Sequence, residues 1–287
     1  MSASHRHALD TSGSIPVLMY HSIDTKASPG FVQYVLDPGA FRAHLDYLVE
    51  HGYTAVTVSQ LARARRDAGA LPPRPVALTF DDGYADFYTT ALPELVIRKL
   101  TATLFVATAY VGSSARWLTT CNEQDRPMMS WSAIKDVCGT GLEVAAHSRT
   151  HPHMDLMPAA DATAEAVGSR HDLEEALGVQ VQGFAYPFGA WNARSRRAVE
   201  AAGYAYACQV AELTSRPGGD LLALPRHSVN GGAGDEDLAR LLDITSGRVD
   251  QAVADLKRVI SRAARRLRPE DSTTTASSAT GARQDAP

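Results

Sequence analysis

Short apolar runs alternate with stretches of helical periodicity along most of the chain. Ile15-Pro-Val-Leu-Met-Tyr20 reads as a strand, and further strands are expected at 53–58, 76–80, 102–107, 142–146, 182–187 and 204–208, with a weaker one at 221–225. Asp37 and Pro38 look like the cap and first position of a helix, because the carboxylate can accept from otherwise free amides and proline lacks an N–H that would go unpaired there. Phe41, Leu45, Leu48 and Val49 recur at helical spacing behind them, and Gly52 ends the element. Asn192 and Gly203 bracket another helix over 192–202. Strands alternating with helices predict a parallel sheet. Seven or eight such units suggest a closed or nearly closed α/β barrel rather than an open sheet. No internal repeat is visible, and no G-x-G-x-x-G sequence follows the first strand, which removes the simplest dinucleotide-binding reading.

Three segments stand outside this alternation. Residues 1–14 are polar with a single leucine and read as a loose tail. Residues 109–129 are long and irregular, and are expected to form a loop over the functional site. Residues 248–268 make an amphipathic helix with Val249, Val253, Leu256, Val259, Ile260, Ala263 and Leu267 on one side. From Pro269 to Pro287 no apolar residue larger than alanine occurs, and that tail is expected to be disordered. The main domain is therefore placed at 15–247.

Composition narrows the class. With 287 residues, 45% hydrophobic and 21% charged, the chain can bury a full core. The net charge is −4 and no long basic tract precedes the C-terminus, so nucleic acid is not an expected partner. Lys257, Arg258, Arg262, Arg265, Arg266 and Arg268 cluster late in the last helix. They read as a solvated face whose cations complement the helix C-terminus, with contact to a membrane surface or a partner as the second reading. Cys121, Cys138 and Cys208 form no CxxC pair and suit reduced thiols. With no signal-peptide core and no membrane-spanning run, a soluble cytoplasmic protein is expected; a secreted form trimmed of its signal would read the same.

The candidate chemistry lies at strand ends. Asp81 and Asp82 follow Val76-Ala-Leu-Thr-Phe80, and His147 follows Leu142-Glu-Val-Ala-Ala146, with His151 four residues on. In parallel α/β barrels reactive residues gather at the C-terminal ends of strands. One carboxylate and two imidazoles commonly hold a hydrolytic zinc ion with one position open. Adjacent residues leaving a strand point differently, so one aspartate can bind metal while the other faces substrate. Gly83 lets the chain turn sharply after them. Alone, an Asp-Asp pair is usually a turn and an H-x-x-x-H spacing is usually incidental. Together, at strand ends, they point to a hydrolase.

These motifs resemble the polysaccharide deacetylase family, carbohydrate esterase family 4, with its NodB-homology domain. Thr79-Phe-Asp-Asp82 matches its TFDD motif, His147-Ser-Arg-Thr-His151 its H-[ST]-x-x-H motif, and Ala185-Tyr-Pro-Phe-Gly189 its R-x-P-[YF]-G motif, with alanine in place of the arginine. The likeness covers roughly residues 15–230 and implies a distorted (β/α)7 barrel. It implies that Asp82, His147 and His151 hold one divalent ion, Zn²⁺ first, with Co²⁺ or Ni²⁺ as alternatives. Asp81 would be the general base and the Phe188 backbone N–H an oxyanion donor. The family's arginine orients the catalytic aspartate; Arg226 is the candidate replacement here, a surface arginine being the alternative. Two sequences match the family's late L-x-x-H motif, Leu224-Pro-Arg-His227 and Leu18-Met-Tyr-His21. The unbroken run before His21 favours it as the general acid and resembles the circularly permuted branch of the family, which begins with V-L-M-Y-H and acts on partly de-N-acetylated exopolysaccharides. Tyr84, Tyr186 and Trp191 are candidates for sugar contact, and Glu143, inside a strand, reads as structural.

The leading expectation is thus a metal-dependent hydrolase removing amide-linked acetyl groups from N-acetylhexosamine residues of a poly- or oligosaccharide. One rival keeps the fold and takes a small acylated sugar, nucleoside or natural-product intermediate in the cytosol. Another is a non-catalytic glycan-binding module, against which the intact Asp-Asp and H-x-x-x-H sets argue. A two-carboxylate glycosidase is disfavoured, since adjacent carboxylates cannot straddle a glycosidic bond.

Overall fold

The structure is a computed structural model that describes residues 13–243 and 248–267. Most of the N-terminal segment and the whole 269–287 tail lie outside the described residues.

Among the described residues the strands are β1 (Val17–Tyr20), β2 (Ser22–Ile23), β3 (Val35–Leu36), β4 (Thr54–Val56), β5 (Pro75–Phe80), β6 (Thr103–Val106), β7 (Glu143–Ala146), β8 (Gly183–Ala185), β9 (Tyr206–Cys208) and β10 (His227–Ser228). The α-helices are α1 (Pro38–Glu50), α2 (Val58–Asp67), α3 (Leu92–Ile97), α4 (Trp131–Gly139), α5 (Ala159–Leu177), α6 (Ala193–Ala201), α7 (Asp235–Asp243) and α8 (Arg248–Leu267). The main sheet is parallel, in the order β10-β1-β5-β6-β7-β8-β9, with β4 alongside the first half of β5. A bridge between Cys208 and Leu224 carries β9 toward β10 and nearly closes the barrel. The alternating pattern predicts a nearly closed parallel barrel, and the family resemblance implies its distorted form; the structure has both features. The strand expected at 221–225 is instead a 3₁₀ turn, Leu221–Ala223, and the last strand begins at His227.

The helix signals correspond to real caps. Asp37 accepts from the amides of Gly39 and Ala40 with Pro38 at the first position, and Asn192 accepts from Arg194 and Ser195. Phe41, Leu45 and Leu48 are buried, but Val49 is exposed and His44 takes the remaining core position, its ring bonded to the Ala233 carbonyl. Along α8, Val253, Leu256, Val259 and Ile260 are exposed. No helix among the described residues is long and apolar enough to cross a membrane.

The two-residue period of the strands sorts the core into two faces. Leu18, Tyr20, Leu78, Phe80, Leu104, Val106, Val144, Ala146 and Phe184 pack outward against the helices. Val17, Ala77, Phe105, Ala145, Ala185, Tyr206 and Cys208 fill the interior, with Val58, Leu61 and Ala62 of α2 packed into the same cluster. Near one end of this interior Glu143 accepts from Tyr206, Thr103 and Ser59. Carried to the other end, the interior positions of β1, β5 and β7 run Val17-Met19-His21, Ala77-Thr79-Asp81 and Glu143-Ala145-His147. The core pattern itself thus delivers one imidazole, one carboxylate and a second imidazole to the same mouth.

Candidate active site

Tyr20 pairs with Phe80, and the Asp81 amide donates to the Tyr20 carbonyl at 3.0 Å, so His21 and Asp81 leave their strands side by side. Asp82 then turns into the left-handed region at φ 75°, and Gly83 follows at φ 90°. A β-carbon on Gly83 would sit 3.3 Å from Val106 Cγ1, so the turn has both a conformational and a steric reason for glycine. The turn re-aims Asp82 away from Asp81.

Asp82, His147 and His151 converge, with potential ligand atoms all within 4.8 Å of one another. Asp82 Oδ1 lies 3.3 Å from His147 Nε2 and 3.1 Å from His151 Nε2, yet makes no hydrogen bond with acceptable geometry. The three buried groups lie close enough together to share one ion. His147 donates its other ring nitrogen to the Ala185 carbonyl at 2.9 Å, which leaves Nε2 with a lone pair for the cluster. Electrostatics agree. Burial pushes His147 down, but the Asp81 and Asp82 carboxylates outweigh it and carry its pKa above the ordinary value. Burial also opposes ionisation of Asp82, yet the two histidines hold it well below the usual carboxylate range. At His151 burial outweighs the same carboxylates and lowers the pKa. One carboxylate with two imidazoles suits a divalent ion.

Asp81 is held from the opposite side. Arg226 donates through both terminal nitrogens to its two oxygens at 2.6 and 2.7 Å, and also to Thr79 Oγ1 and the Gln209 carbonyl. Arg226 is fully buried, its guanidinium over the Phe105 ring, so it is not a surface residue. Burial pushes Asp81 up; Arg226 and His147 outweigh it and leave the carboxyl below its usual pKa. Asp81 Oδ2 is 3.8 Å from His147 Nε2, within the same small volume as the ligand cluster.

The two candidate acids differ in placement. His21 is half-buried at the strand end, and the charges of Asp82, Asp81, Arg226 and His147 all act on its ring. Burial is the main influence and lowers its pKa. His227 pairs with Leu18, three positions before His21, and is fully buried, with Glu212 at 3.6 Å. Phe188 sits at φ 58° in the turn after β8, and no hydrogen bond from its backbone N–H occurs among the described residues.

Of the three aromatics expected to contact sugar, Tyr84 and Tyr186 are buried and Trp191 is partly buried. Tyr84 is 1% exposed, wedged edge-on against Phe31 and beneath Trp117. Tyr186 is buried against Phe184, its hydroxyl donating to the Leu222 carbonyl. Trp191 packs partly buried on the core and donates to Gln209. A residue next to a motif on a strand end faces the core as often as the mouth. The rim aromatics are others: Phe188, 52% exposed and stacked on His153; Tyr34, 38% exposed beside His21; and Trp117, stacked 4.8 Å from His151. Trp117 comes from the 109–129 segment, which does reach over the cluster. Arg126 from the same segment is buried and donates to Ser22 and the Lys26 carbonyl, while Asp86 accepts from Ser22 and the Ile23 amide. The two fix the chain just after His21. Nothing local in the sequence marks either.

Residues 68–207 match the family model described as Polysaccharide deacetylase. YxkH of Bacillus subtilis (strain 168), provisionally named a polysaccharide deacetylase, is 24% identical over 190 residues, 66% of this chain and 62% of its own length. The poly-β-1,6-N-acetyl-D-glucosamine N-deacetylase of Escherichia coli (strain K12) is 29% identical over 135 residues, 46% of this chain and 20% of its own. The chain thus spans less than two thirds of the length of either relative. In fold it is similar to the Streptococcus pyogenes deacetylase PplD solved in complex with acetate, with a TM-score of 0.70 at 24% identity over 80% of this chain and 99% of that one. Over residues 68–207 the chain is thus similar to the polysaccharide deacetylase family.

Proposed function

We propose that the chain is a metal-dependent N-deacetylase that hydrolyses acetamide groups on N-acetylhexosamine residues of a poly- or oligosaccharide. The observation that carries this reading is the convergence of Asp82, His147 and His151 around an unbonded carboxylate oxygen, beside a second carboxylate locked by Arg226. We assign the three converging residues to one divalent ion, zinc by the character of the donor set. When bound, such an ion polarises the acyl carbonyl and makes water a stronger nucleophile near neutral pH.

The chain's own groups divide the proton work. Asp81, kept ionised by Arg226, accepts a proton from the attacking water; both its oxygens keep a lone pair beyond those used by the guanidinium. The Phe188 N–H donates to the oxygen on which charge develops. His21, on the neighbouring strand, gives a proton to the departing amine as the C–N bond breaks, releasing acetate and a free amino sugar. Burial eases that transfer by lowering the pKa of the ring. His227 is not assigned this role, because it lies deep in the sheet beside Leu18 rather than at the mouth. The exposed rings of Phe188 and Tyr34 offer apolar faces for the sugar.

The test is acetate release by zinc-loaded protein from three substrates: β-1,4- and β-1,6-linked N-acetylglucosamine oligomers, and monomeric N-acetylglucosamine. The reading expects acetate from an oligomer, matched by an equal yield of free amine. Release from the monomer alone would move the substrate to small acylated sugars. No acetate from any of the three would contradict the reading.

A further inference from the structure

His147 and His151 are oriented in different ways. The His147 ring is tied to a backbone carbonyl through Nδ1, whereas His151 Nδ1 is buried with no hydrogen-bond partner among the described residues. What aims His151 is therefore its backbone and the rings against it. That backbone is unusual: Ser148 at φ 60° and His151 at φ 56° are both left-handed, a conformation in which a β-carbon crowds the following carbonyl. Something must hold the loop there.

Glu165, on the inward face of α5, is a buried carboxylate that the proposed chemistry does not use. Its Oε2 accepts from two successive loop amides, Arg149 at 2.7 Å and Thr150 at 2.8 Å, and its Oε1 accepts from Thr150 Oγ1 at 2.6 Å. The next amide, of His151, donates to Ser148 Oγ at 3.0 Å. On the other side, the amides of Thr108 and Ala109 donate to the Ser148 and Arg149 carbonyls. The loop is framed by strand-end amides on one flank and by a single carboxylate on the other. Successive amides converging on one anion make a concave nest, which matches the left-handed residues bracketing it.

We infer that Glu165 is a positioning residue for the metal centre, holding the 148–151 loop in the strained form that aims His151 at Asp82. The inference rests on the assignment of Asp82, His147 and His151 as ligands. Glu165 touches no ligand side chain; it acts through the backbone between the two histidines. Groups that support ligands in this way typically change metal affinity 10–100-fold when removed.

The test is zinc affinity of the purified apoprotein by competition with a chromophoric chelator, independent of turnover. Glu165→Ala should weaken zinc binding by about 10–100-fold. Glu165→Gln should stay near wild type, because the amide oxygen still accepts the two N–H groups and its NH₂ can donate to Thr150 Oγ1. Glu165→Asp keeps the charge but withdraws it by one methylene; it should weaken binding and covers the case that the alanine variant fails to fold. Asp82→Ala, measured in parallel, should abolish binding. Folded Glu165→Ala or Glu165→Asp protein with wild-type affinity, while Asp82→Ala binds nothing, overturns the inference. Glutamine as weak as alanine also overturns it, since charge and not the hydrogen-bond frame would then be what His151 needs. Unchanged affinity in Asp82→Ala would instead overturn the ligand assignment itself.

Discussion

Arg226 grips both oxygens of Asp81 across 145 positions of sequence, with the whole pair buried at the mouth of the barrel. Ala185, two residues before Pro187, is fully buried in the interior cluster. The energetic sense of the Arg226–Asp81 pair is set by sign. Burial alone would raise Asp81, and Arg226 reverses that, so the folded pKa lies below the ordinary value. A depressed carboxylate contributes stability that is present above the unfolded pKa near 3.9 and is lost as pH falls through the folded value. Across neutral pH the pair is therefore intact.

Removing Arg226 should expose the opposing effect. In Arg226→Met the Asp81 carboxyl loses its largest stabilising charge and keeps its burial. The acidic limb of the pH profile of kcat/KM should move to higher pH. Stability should fall by about 3–5 kcal/mol, as for other buried charges stripped of their partner. pH–rate profiles and denaturant melts measure both; an acidic limb that stays in place would show that Asp81 is not the titrating base.

The ligand set predicts a different phenotype. Asp82→Ala and His147→Ala should lose bound metal, read as zinc per chain by elemental analysis after reconstitution. Full occupancy in both variants would refute the assignment, whatever their activity.

His21 and His227 can be separated by pH. An acid must be protonated, so activity should fall as pH rises through the pKa of the His21 ring. His21→Ala should abolish deacetylation with metal retained and remove that upper limb. His227→Ala should have the smaller effect and keep the limb. The reverse pattern would assign the acid to β10.

Much of this architecture is legible in the chain because parallel strands buried on both faces read as mainly apolar runs. Runs such as Val76–Phe80 and Leu142–Ala146 place Asp81, Asp82 and His147 at strand ends from local pattern alone. What fails is whatever depends on partners distant in sequence. For Arg226 the sequence leaves an orienting role and a surface position open until Asp81 is seen beside it, and Glu165 looks like any helical carboxylate until the 149–150 amides are in place. Tyr84 and Tyr186 sit beside motifs, yet bury their rings against Phe31 and Phe184, which no spacing reveals. The two-residue strands β2 and β3 are too short to leave a period at all.

The most direct test compares zinc-loaded wild type with zinc-loaded Asp81→Asn at equal metal content, following acetate released from an N-acetylglucosamine oligomer. The account predicts that the substitution leaves the ion in place and lowers turnover on the order of 10²-fold or more, the loss expected when a general base is removed. Near-normal turnover in Asp81→Asn, or no acetate from the zinc-loaded wild type, would contradict it.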